Sequence, residues 1–266
     1  MQIVFWSPVP GQGCVTSSLL AVATYLASSE KKKVSILSTN CTNHDMQLPF
    51  IGYEQEKVFV DAASRLGLDA LFRSAKGERL TKEIIEDAAL RLSPRFAIFA
   101  MPSSGKVSVN ETTLLETYDD IVTAVDKYND FTLIDTRGGA TRLNQKVLSM
   151  ADVIVVCLNQ NRSVFEAYFE QFKFSGKKLF YLVGNYDRNQ SFSMKNIRRR
   201  YKSLKSNNSA VIWHNSDFSD AMNEGKLFKW MNVNKGCKKT DVNYPFIHEV
   251  DLATKKLIKM AGRSDT

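Results

Sequence analysis

A short glycine-containing segment near the start of the chain has the residue types of a phosphate-binding turn. It runs from Ser7 to Ser18, between an apolar strand pattern and a helical pattern. Gly11 and Gly13 allow a ligand to approach the backbone closely, and residues 16–18 supply three hydroxyl groups. The first turn of the helix would add unpaired N–H groups and the positive end of its dipole. The segment therefore predicts a phosphate site.

This turn contains no lysine. A P-loop reads G-x-x-x-x-G-K-[ST], in which the lysine reaches the β- and γ-phosphates and the hydroxyl binds magnesium. When Thr16 takes the hydroxyl position, Val15 replaces the lysine and Cys14 replaces the preceding glycine. A shift of one residue aligns Gly13 with the glycine, but it places Cys14 at the lysine position and Val15 at the hydroxyl. Neither register is intact.

A second group of candidate residues begins at the end of the apolar run Phe131–Ile134. Asp135 ends this predicted strand, where its carboxylate could hold a magnesium-bound water or, alternatively, cap the next turn. Arg137 would lie beside the phosphate site and could replace the missing lysine charge, because guanidinium groups stabilise phosphoryl charge. A solvated surface arginine is the alternative. Gly138 and Gly139 would let this segment approach a γ-phosphate, although a glycine pair suits any turn.

Strand and helix patterns that could position these residues alternate along the chain. Short runs that are apolar on both faces alternate with helix-length segments, which favours an α/β, doubly wound, mostly parallel sheet with helices on both faces. No repeat or low-complexity linker divides the chain, so residues 1–266 are predicted to form a single domain. The predicted strands are Ile3–Trp6, Val34–Leu37, Phe96–Phe99, Phe131–Ile134, Val153–Leu158, Leu179–Val183 and Ala210–Trp213. The predicted helices are Thr16–Ser28, Lys82–Arg91, Thr112–Tyr128, Arg162–Phe172, Met194–Lys202 and Phe246–Met260. The predicted loops are Asn40–Gln55 and Asn232–Tyr244.

Composition limits the classes of function. Hydrophobic residues make up 44% and charged residues 24% of the 266, which excludes collagen-like, disordered and coiled-coil chains. The net charge of +8 suits an anionic partner. The N-terminus lacks a signal-peptide pattern, and no apolar run is long enough to cross a bilayer. A reduced, cytoplasmic compartment is predicted, because four cysteines lie far apart without metal-ligand spacing: Cys14, Cys41, Cys157 and Cys237.

The order of these segments resembles the deviant-Walker-A family that includes the ParA and MinD ATPases, whose loop reads K-G-G-x-G-K-[ST]-[ST]. Leu26-Ala27 matches a Leu-Ala pair in the family's helix, which favours the register with Thr16 at the hydroxyl. Pro10 and Val15 then replace both family lysines. A loop without the usual lysine is similar to that of the TadZ-like branch, which localises pili and secretion machines. Later segments that resemble the family are Phe131–Gly139 (Walker B and second switch), Met150–Cys157, Val183–Asp187, and Ile212–Asn215 with Asp217–Glu224 (the late strand and loop).

The resemblance implies a P-loop NTPase-like fold and a site for ATP and Mg²⁺. Thr16 and Asp135 would hold the magnesium, Asp135 through water, and Asp135 and Arg137 are the catalytic candidates. Asp45 is the carboxylate of the first switch segment and is out of the family's register, so fast hydrolysis is not expected. The nucleotide-binding residues carried over are Gly11, Gln12, Gly13, Cys14, Val15, Thr16, Ser17 and Asn185, whose amide would contact the base.

The function implied is that of a TadZ-like spatial organiser. It would bind ATP weakly or conditionally, form a homodimer, and position DNA or a protein partner from a pilus, secretion or partition system. An active ParA-type partition ATPase and a nucleotide-free pseudo-ATPase scaffold are the alternatives. The basic stretch Lys195–Lys205, with Lys235, Lys238 and Lys239, could contact DNA phosphates non-specifically or be a solvated helix face. The last helix could bind an anionic membrane peripherally or pack against the sheet.

Overall fold

A computed structural model describes residues 1–39, 46–53, 67–77, 80–99 and 111–262, and the statements below refer to these ranges. The strands are β1 (Gln2–Trp6), β2 (Val34–Ser38), β3 (Leu90–Ser93), β4 (Phe96–Phe99), β5 (Phe131–Asp135), β6 (Val153–Leu158), β7 (Lys178–Tyr186) and β8 (Ser209–Trp213). The helices are α1 (Val15–Ser29), α2 (Gly67–Lys76), α3 (Lys82–Ala88), α4 (Glu111–Asp126), α5 (Arg142–Met150), α6 (Arg162–Gln171), α7 (Met194–Arg200), α8 (Ser216–Asn223), α9 (Leu227–Asn234) and α10 (Tyr244–Ala261).

The strands form one sheet in the order β3-β4-β2-β5-β1-β6-β7-β8. Every neighbouring pair is parallel except β3 and β4, so the predicted doubly wound, mostly parallel fold is confirmed. Strand β1 lies between β5 and β6, and Phe5 is in register with Asp135. Because the carboxyl ends of parallel strands share an edge, the turn after β1 and the end of β5 lie together.

Alternating residues of the strands face two separate cores. Val4 and Trp6 of β1 point into the core covered by α2–α7, whereas Ile3 and Phe5 point into the core covered by α1 and α8–α10. All four side chains are fully buried. This arrangement explains why the strand patterns are apolar throughout rather than alternating.

The structure corrects several predicted boundaries. The helix expected over Lys82–Arg91 ends at Ala88, because the following residues form β3 and pair antiparallel with β4. Helix α8 replaces the loop expected at Asp217–Glu224, and the Asn215 side chain caps it by accepting from the Phe218 N–H at 2.7 Å. Three further helices were also missed, in the regions of α2, α5 and α9.

The predicted loops are only partly loops. Of the segment Asn40–Gln55, residues 48–53 are helical, and residues 40–45 and 54–55 lie outside the described residues. The other segment, Asn232–Tyr244, contains the last turn of α9 and the first residue of α10.

Helix α10 packs against α1 and the sheet. Its apolar residues Val250, Leu257 and Ile258 are buried in the same core as α1. The chain itself covers this face, as the packing alternative predicted, so the face is not open to a membrane. In the described ranges, no helix combines the length and apolarity that crossing a bilayer requires.

Trp6 ties the end of β1 to the turn after β5. Its indole N–H donates to the carbonyl oxygen of Gly139 at 2.8 Å. The rings of Phe172 and Phe174 meet it edge-on, with centroids 4.7 and 5.3 Å away. One buried side chain therefore links two turns of the carboxyl edge to the segment after α6.

We expect Trp6→Phe to lower the free energy of unfolding by about 1–3 kcal/mol, because it deletes a buried hydrogen bond and leaves a cavity. Val233→Ala is the control, since Val233 is 74% exposed and its replacement should change stability by less than about 0.5 kcal/mol. Urea unfolding monitored by circular dichroism measures both. Equal midpoints for Trp6→Phe and wild type would contradict the role given to the indole.

Candidate functional site

A cavity of about 590 Å³ opens at the carboxyl edge of β1 and β5. It is bordered by the turn between β1 and α1, the residues after β5, the helical segment 48–53 and the end of α8. The described lining residues are Pro10, Gly11, Gly13, Cys14, Val15, Thr16, Ser17, Leu20, Leu48, Pro49, Tyr53, Thr136, Arg137, Met222 and Asn223.

The turn is held against the sheet by a glycine that no other residue could replace. A Cβ on Gly13 would lie 2.2 Å from the Ser7 hydroxyl oxygen and 2.7 Å from the Cys157 carbonyl oxygen. The next residue, Cys14, has φ 51° and ψ 38°, in the left-handed region that favours glycine. When Thr16 is aligned with the P-loop hydroxyl, Cys14 stands at the position of a P-loop glycine. Its left-handed backbone is the conformation expected at that position.

Helix α1 begins directly after this turn without a side-chain cap. Cys14 makes no hydrogen bond from its side chain to the first turn, and that turn contains no acidic residue. The first backbone bond of the helix runs from the Ser18 N–H to the Cys14 carbonyl at 3.0 Å. The N–H groups before Ser18 therefore border the cavity, where they suit an anion.

Thr16 lines the cavity and contacts Asp135, which is buried and does not itself line the cavity. The Thr16 hydroxyl donates to Asp135 Oδ2 at 3.0 Å, and Asp135 is 3% exposed. Burial raises the pKa of this carboxyl from 3.8 to about 7, although the Thr16 hydrogen bond opposes the shift. The other oxygen, Oδ1, has no hydrogen-bond partner among the described residues.

These oxygens fit a magnesium ion. Mg²⁺ prefers oxygen ligands, keeps several waters, and is usually held by one or two protein groups together with phosphates. A hydroxyl that lines the cavity beside a helix N-terminus, bonded to a buried carboxylate with one unpaired oxygen, matches that donor set. No larger group of His, Cys, Asp and Glu suited to a metal occurs in the described ranges.

Arg137 lines the same cavity, in the position that the sequence predicted beside the turn. Its side chain is exposed, and it is the sole charged group among the described lining residues. Val15, which stands at the lysine position, is half-buried and also lines the cavity. The positive charge of this site therefore comes from the helix N-terminus and from one guanidinium group.

Gly138 and Gly139 support the turn rather than the cavity. Neither lines the cavity, so the expected approach to a γ-phosphate is not seen. The Gly139 N–H donates to the Ser7 carbonyl at 2.9 Å, and a Cβ on Gly138 would lie 3.0 Å from that oxygen. The Asn144 amide donates to both glycine carbonyls, at 2.7 and 3.0 Å. The pair lets the segment after β5 press against the turn.

Two predicted nucleotide-binding residues lie outside the cavity. Gln12 is exposed, and its backbone N–H donates to the Val9 carbonyl at 3.2 Å. Asn185 has φ 48°, and its Oδ1 lies 2.9 Å from Nδ1 of the exposed His214. It lines a second cavity of about 590 Å³ together with Trp213.

The two cavities are neighbours at the end of β7. A Cβ on Gly184, the residue before Asn185, would lie 2.8 Å from the Cβ of Cys14. Asp45, the candidate of the first switch, lies outside the described residues. Sequence reasoning also missed the contribution of Leu48, Tyr53 and Met222 to the first cavity, and no motif marked them.

Some basic side chains of the stretch Lys195–Lys205 contact other parts of the protein, and most of them are exposed. Arg200 pairs with Glu166 at 2.8 Å. Arg198 and Lys256, from helices on opposite faces, both donate to the Ser209 carbonyl of the edge strand β8, at 3.4 and 3.1 Å. The exposed basic side chains of the stretch are Lys195, Arg199, Arg200, Lys202 and Lys205.

The cysteines within the described residues are free thiols. Cys14 and Cys237 are half-buried and Cys157 is buried, and burial raises the pKa of each thiol. Cys41 lies outside the described residues.

Part of the sequence matches a known family. Residues 72–167 match the sequence model of the family described as ATPase MipZ. The match includes Asp135 and Arg137 but does not reach the turn between β1 and α1. No curated protein sequence matches the chain.

Solved structures of the same fold span the whole chain. A ParA family ATPase from Chlorobium tepidum TLS has a TM-score of 0.69 at 12% identity, covering 98% of this chain and 97% of its own. The septum site-determining protein MinD of Pyrococcus horikoshii OT3, complexed with Mg-ADP, has a TM-score of 0.68 at 14% identity with the same coverage. MinD in a MinC:MinD complex from Aquifex aeolicus has a TM-score of 0.64 at 14% identity, covering 100% and 97%. The predicted resemblance to the ParA and MinD ATPases is confirmed at the level of the fold.

We expect the raised pKa of Asp135 to make stability depend on pH. The folded protein holds this proton up to about pH 7, whereas the unfolded chain releases it near 3.8. The stability contributed by the protonated form is therefore fully present below about pH 4 and is lost as the pH rises through 7. Asp135→Asn keeps the shape and removes the titration, so its free energy of unfolding should fall less between pH 4 and 7. Urea unfolding of both proteins without divalent cations measures the free energy of unfolding at each pH. If the wild type and Asp135→Asn lost stability in parallel between pH 4 and 7, the role given to Asp135 would be contradicted.

Proposed function

We propose that this chain, which has the fold of the ParA and MinD ATPases, is a nucleotide-dependent spatial organiser that binds ATP and Mg²⁺ weakly or conditionally. The observation that carries the proposal is the contact of the Thr16 hydroxyl with the buried Asp135 carboxylate, beside an uncapped helix N-terminus. All eight described strands join one sheet, which supports treating residues 1–266 as a single domain.

The two neighbouring cavities would bind different parts of the nucleotide. The backbone of the turn and the start of α1 would bind the phosphates, with Gly11 leaving open space above the backbone. Thr16 and Asp135 would hold magnesium, which neutralises charge on phosphate oxygens when bound. Asn185 would present its amide to the base in the second cavity, after exchanging its contact with His214.

Slow hydrolysis follows from the missing lysines. Pro10 and Val15 carry no charge, which leaves Arg137 to stabilise phosphate oxygens from the side of β5. Loss of one well-placed donor commonly lowers a rate by about 10²–10³. The output of the protein would then be a shift between free and nucleotide-bound populations rather than product formation, as for a TadZ-like organiser.

The proposed assembly is a cytoplasmic homodimer that joins through the nucleotide face and binds a further protein of a pilus, secretion or partition system. A MinD relative forms a complex with MinC, and the present chain covers nearly the full length of that relative. The exposed part of Lys195–Lys205 supports non-specific contact with DNA phosphates. Peripheral membrane binding by the last helix is not part of the proposal, because α10 buries its apolar face within the chain.

We expect Arg137→Ala to weaken binding of ATP with Mg²⁺ by at least about tenfold, because a charge-assisted hydrogen bond contributes about 1.5–3 kcal/mol. Arg142→Ala is the matched control, since Arg142 is an exposed arginine of the neighbouring helix that does not line the cavity. Isothermal titration calorimetry compares both variants with the wild type. Unchanged affinity would remove Arg137 from the site, and no heat from the wild type at millimolar ATP would leave only the scaffold alternative.

We expect Val15→Lys to tighten ATP binding by about tenfold or more, because it restores an ammonium group at the lysine position of the turn. Val15→Met is the control for size without charge. Calorimetry measures affinity, and phosphate release in the same samples measures hydrolysis. If wild type completed many turnovers with DNA or a partner added, the active-ATPase alternative would replace the organiser. Equal affinities for the two variants would overturn the Thr16 register.

A further inference from the structure

A third cavity, of about 390 Å³, lies at the opposite edge of the sheet from the turn. Its walls include Lys33, Arg95 and Asn129, which stand just before β2, β4 and β5. These are the amino ends of parallel strands, whereas the nucleotide site proposed above lies at the carboxyl ends. We call this third space the basal cavity.

The basal cavity is strongly cationic. Of the described residues that line it, one is a carboxylate, Glu86, and five are basic: Lys33, Lys82, Arg91, Arg95 and Lys127. Arg91 contacts Glu86 at 3.2 Å. The other four basic side chains form no ion pair within the described ranges. Unpaired like charges around one concavity repel each other and attract a compact anion.

Asp126 and Asp130, two carboxylates near this end of the sheet, are hydrogen-bonded to other groups. Asp130 accepts the backbone N–H of Lys33 at 2.8 Å. Asp126 contacts the amino group of Met1 and accepts from the Thr132 hydroxyl at 2.8 Å. Both carboxylates are thus turned to the backbone or to the neighbouring strand, and neither lines the cavity.

The rest of the wall is apolar or aromatic. Ile85 and Phe99 are buried residues of the core on this face of the sheet, and they form its inner surface. Tyr128 is half-buried, and the Lys127 ammonium lies 5.9 Å from its ring centroid. A ligand that fits both parts of the wall carries a multivalent anion at one end and an apolar ring at the other.

We propose that the basal cavity binds a small organic phosphate. The phosphate dianion lies among Lys33, Arg95 and Lys127, where the Arg95 guanidinium can donate two parallel hydrogen bonds. The ring lies against Ile85 and Tyr128. The volume falls within the range of small-molecule sites, about 300–1,000 Å³. The proposal does not depend on nucleotide binding at the other edge, because the two cavities share no lining residue.

Methyl-selective NMR of the full chain tests the proposal, because each cavity contains its own reporter. Ile85 reports the basal cavity, and Val15 reports the turn after β1. The probes are phenyl phosphate, inorganic phosphate and neutral benzyl alcohol, titrated at low salt. We expect phenyl phosphate to shift the Ile85 methyl signal at the lowest concentration and benzyl alcohol to leave it unchanged.

A double variant separates specific binding from general attraction to a basic protein. Lys33→Ala with Arg95→Ala should weaken phenyl phosphate binding at Ile85 by about tenfold or more. Lys202→Ala with Lys205→Ala, two exposed lysines elsewhere, should leave it unchanged. All four positions are exposed, and the methyl spectrum reports folding directly. The proposal would be overturned if phenyl phosphate left the Ile85 signal unmoved or if benzyl alcohol shifted it equally. It would also be overturned if inorganic phosphate bound as tightly as phenyl phosphate, or if the first double variant kept wild-type affinity.

Discussion

Close contact between backbones underlies the whole carboxyl edge of this protein. The turn after β1 lies so near the sheet that a Cβ on Gly13 would overlap the Ser7 side chain and the Cys157 carbonyl. The segment after β5 presses on the same turn through the Gly139 N–H and the Ser7 carbonyl. These contacts place the start of α1 beside Asp135, so the hydrogen bond from the Thr16 hydroxyl to Asp135 depends on them. A side chain at Gly13 would separate the elements that form the site.

The electrostatics of this edge reflect a missing cation. Asp135 is buried and has no basic partner among the described residues, and desolvation therefore dominates the pKa of its carboxyl. A lysine in the turn would favour the ionised form, but Val15 occupies that position. The uncapped N-terminus of α1 and the exposed Arg137 supply what positive charge the cavity has. Such a site favours an occupant that brings its own cation, as a magnesium complex of a nucleotide does.

The sequence predicted the sheet better than the surroundings of the site. All seven predicted strands exist because the strands are buried on both faces, as Ile3 and Val4 show on opposite faces of β1, which leaves an unbroken apolar pattern. Strand β3 was missed because it exists only through pairing with β4, and local periodicity favoured a helix there. The family resemblance assigned Thr16 and Asp135 to one magnesium site, and the two side chains are in contact. Leu48 and Met222 reach the cavity through tertiary packing that no local pattern encodes. The basal cavity was invisible for the same reason, since its basic residues come from separate segments.

The two basic side chains at the Ser209 carbonyl have a consequence for assembly. Strand β8 is an edge strand, and an exposed edge can pair with a strand from another molecule. Arg198 reaches its first carbonyl from one face and Lys256 from the other, so an incoming strand would have to displace two charged donors. Growth of the sheet from molecule to molecule is disfavoured at this end. Self-association at this end of the sheet would then use helices or loops, whose contacts can be made and released without extending a β-sheet.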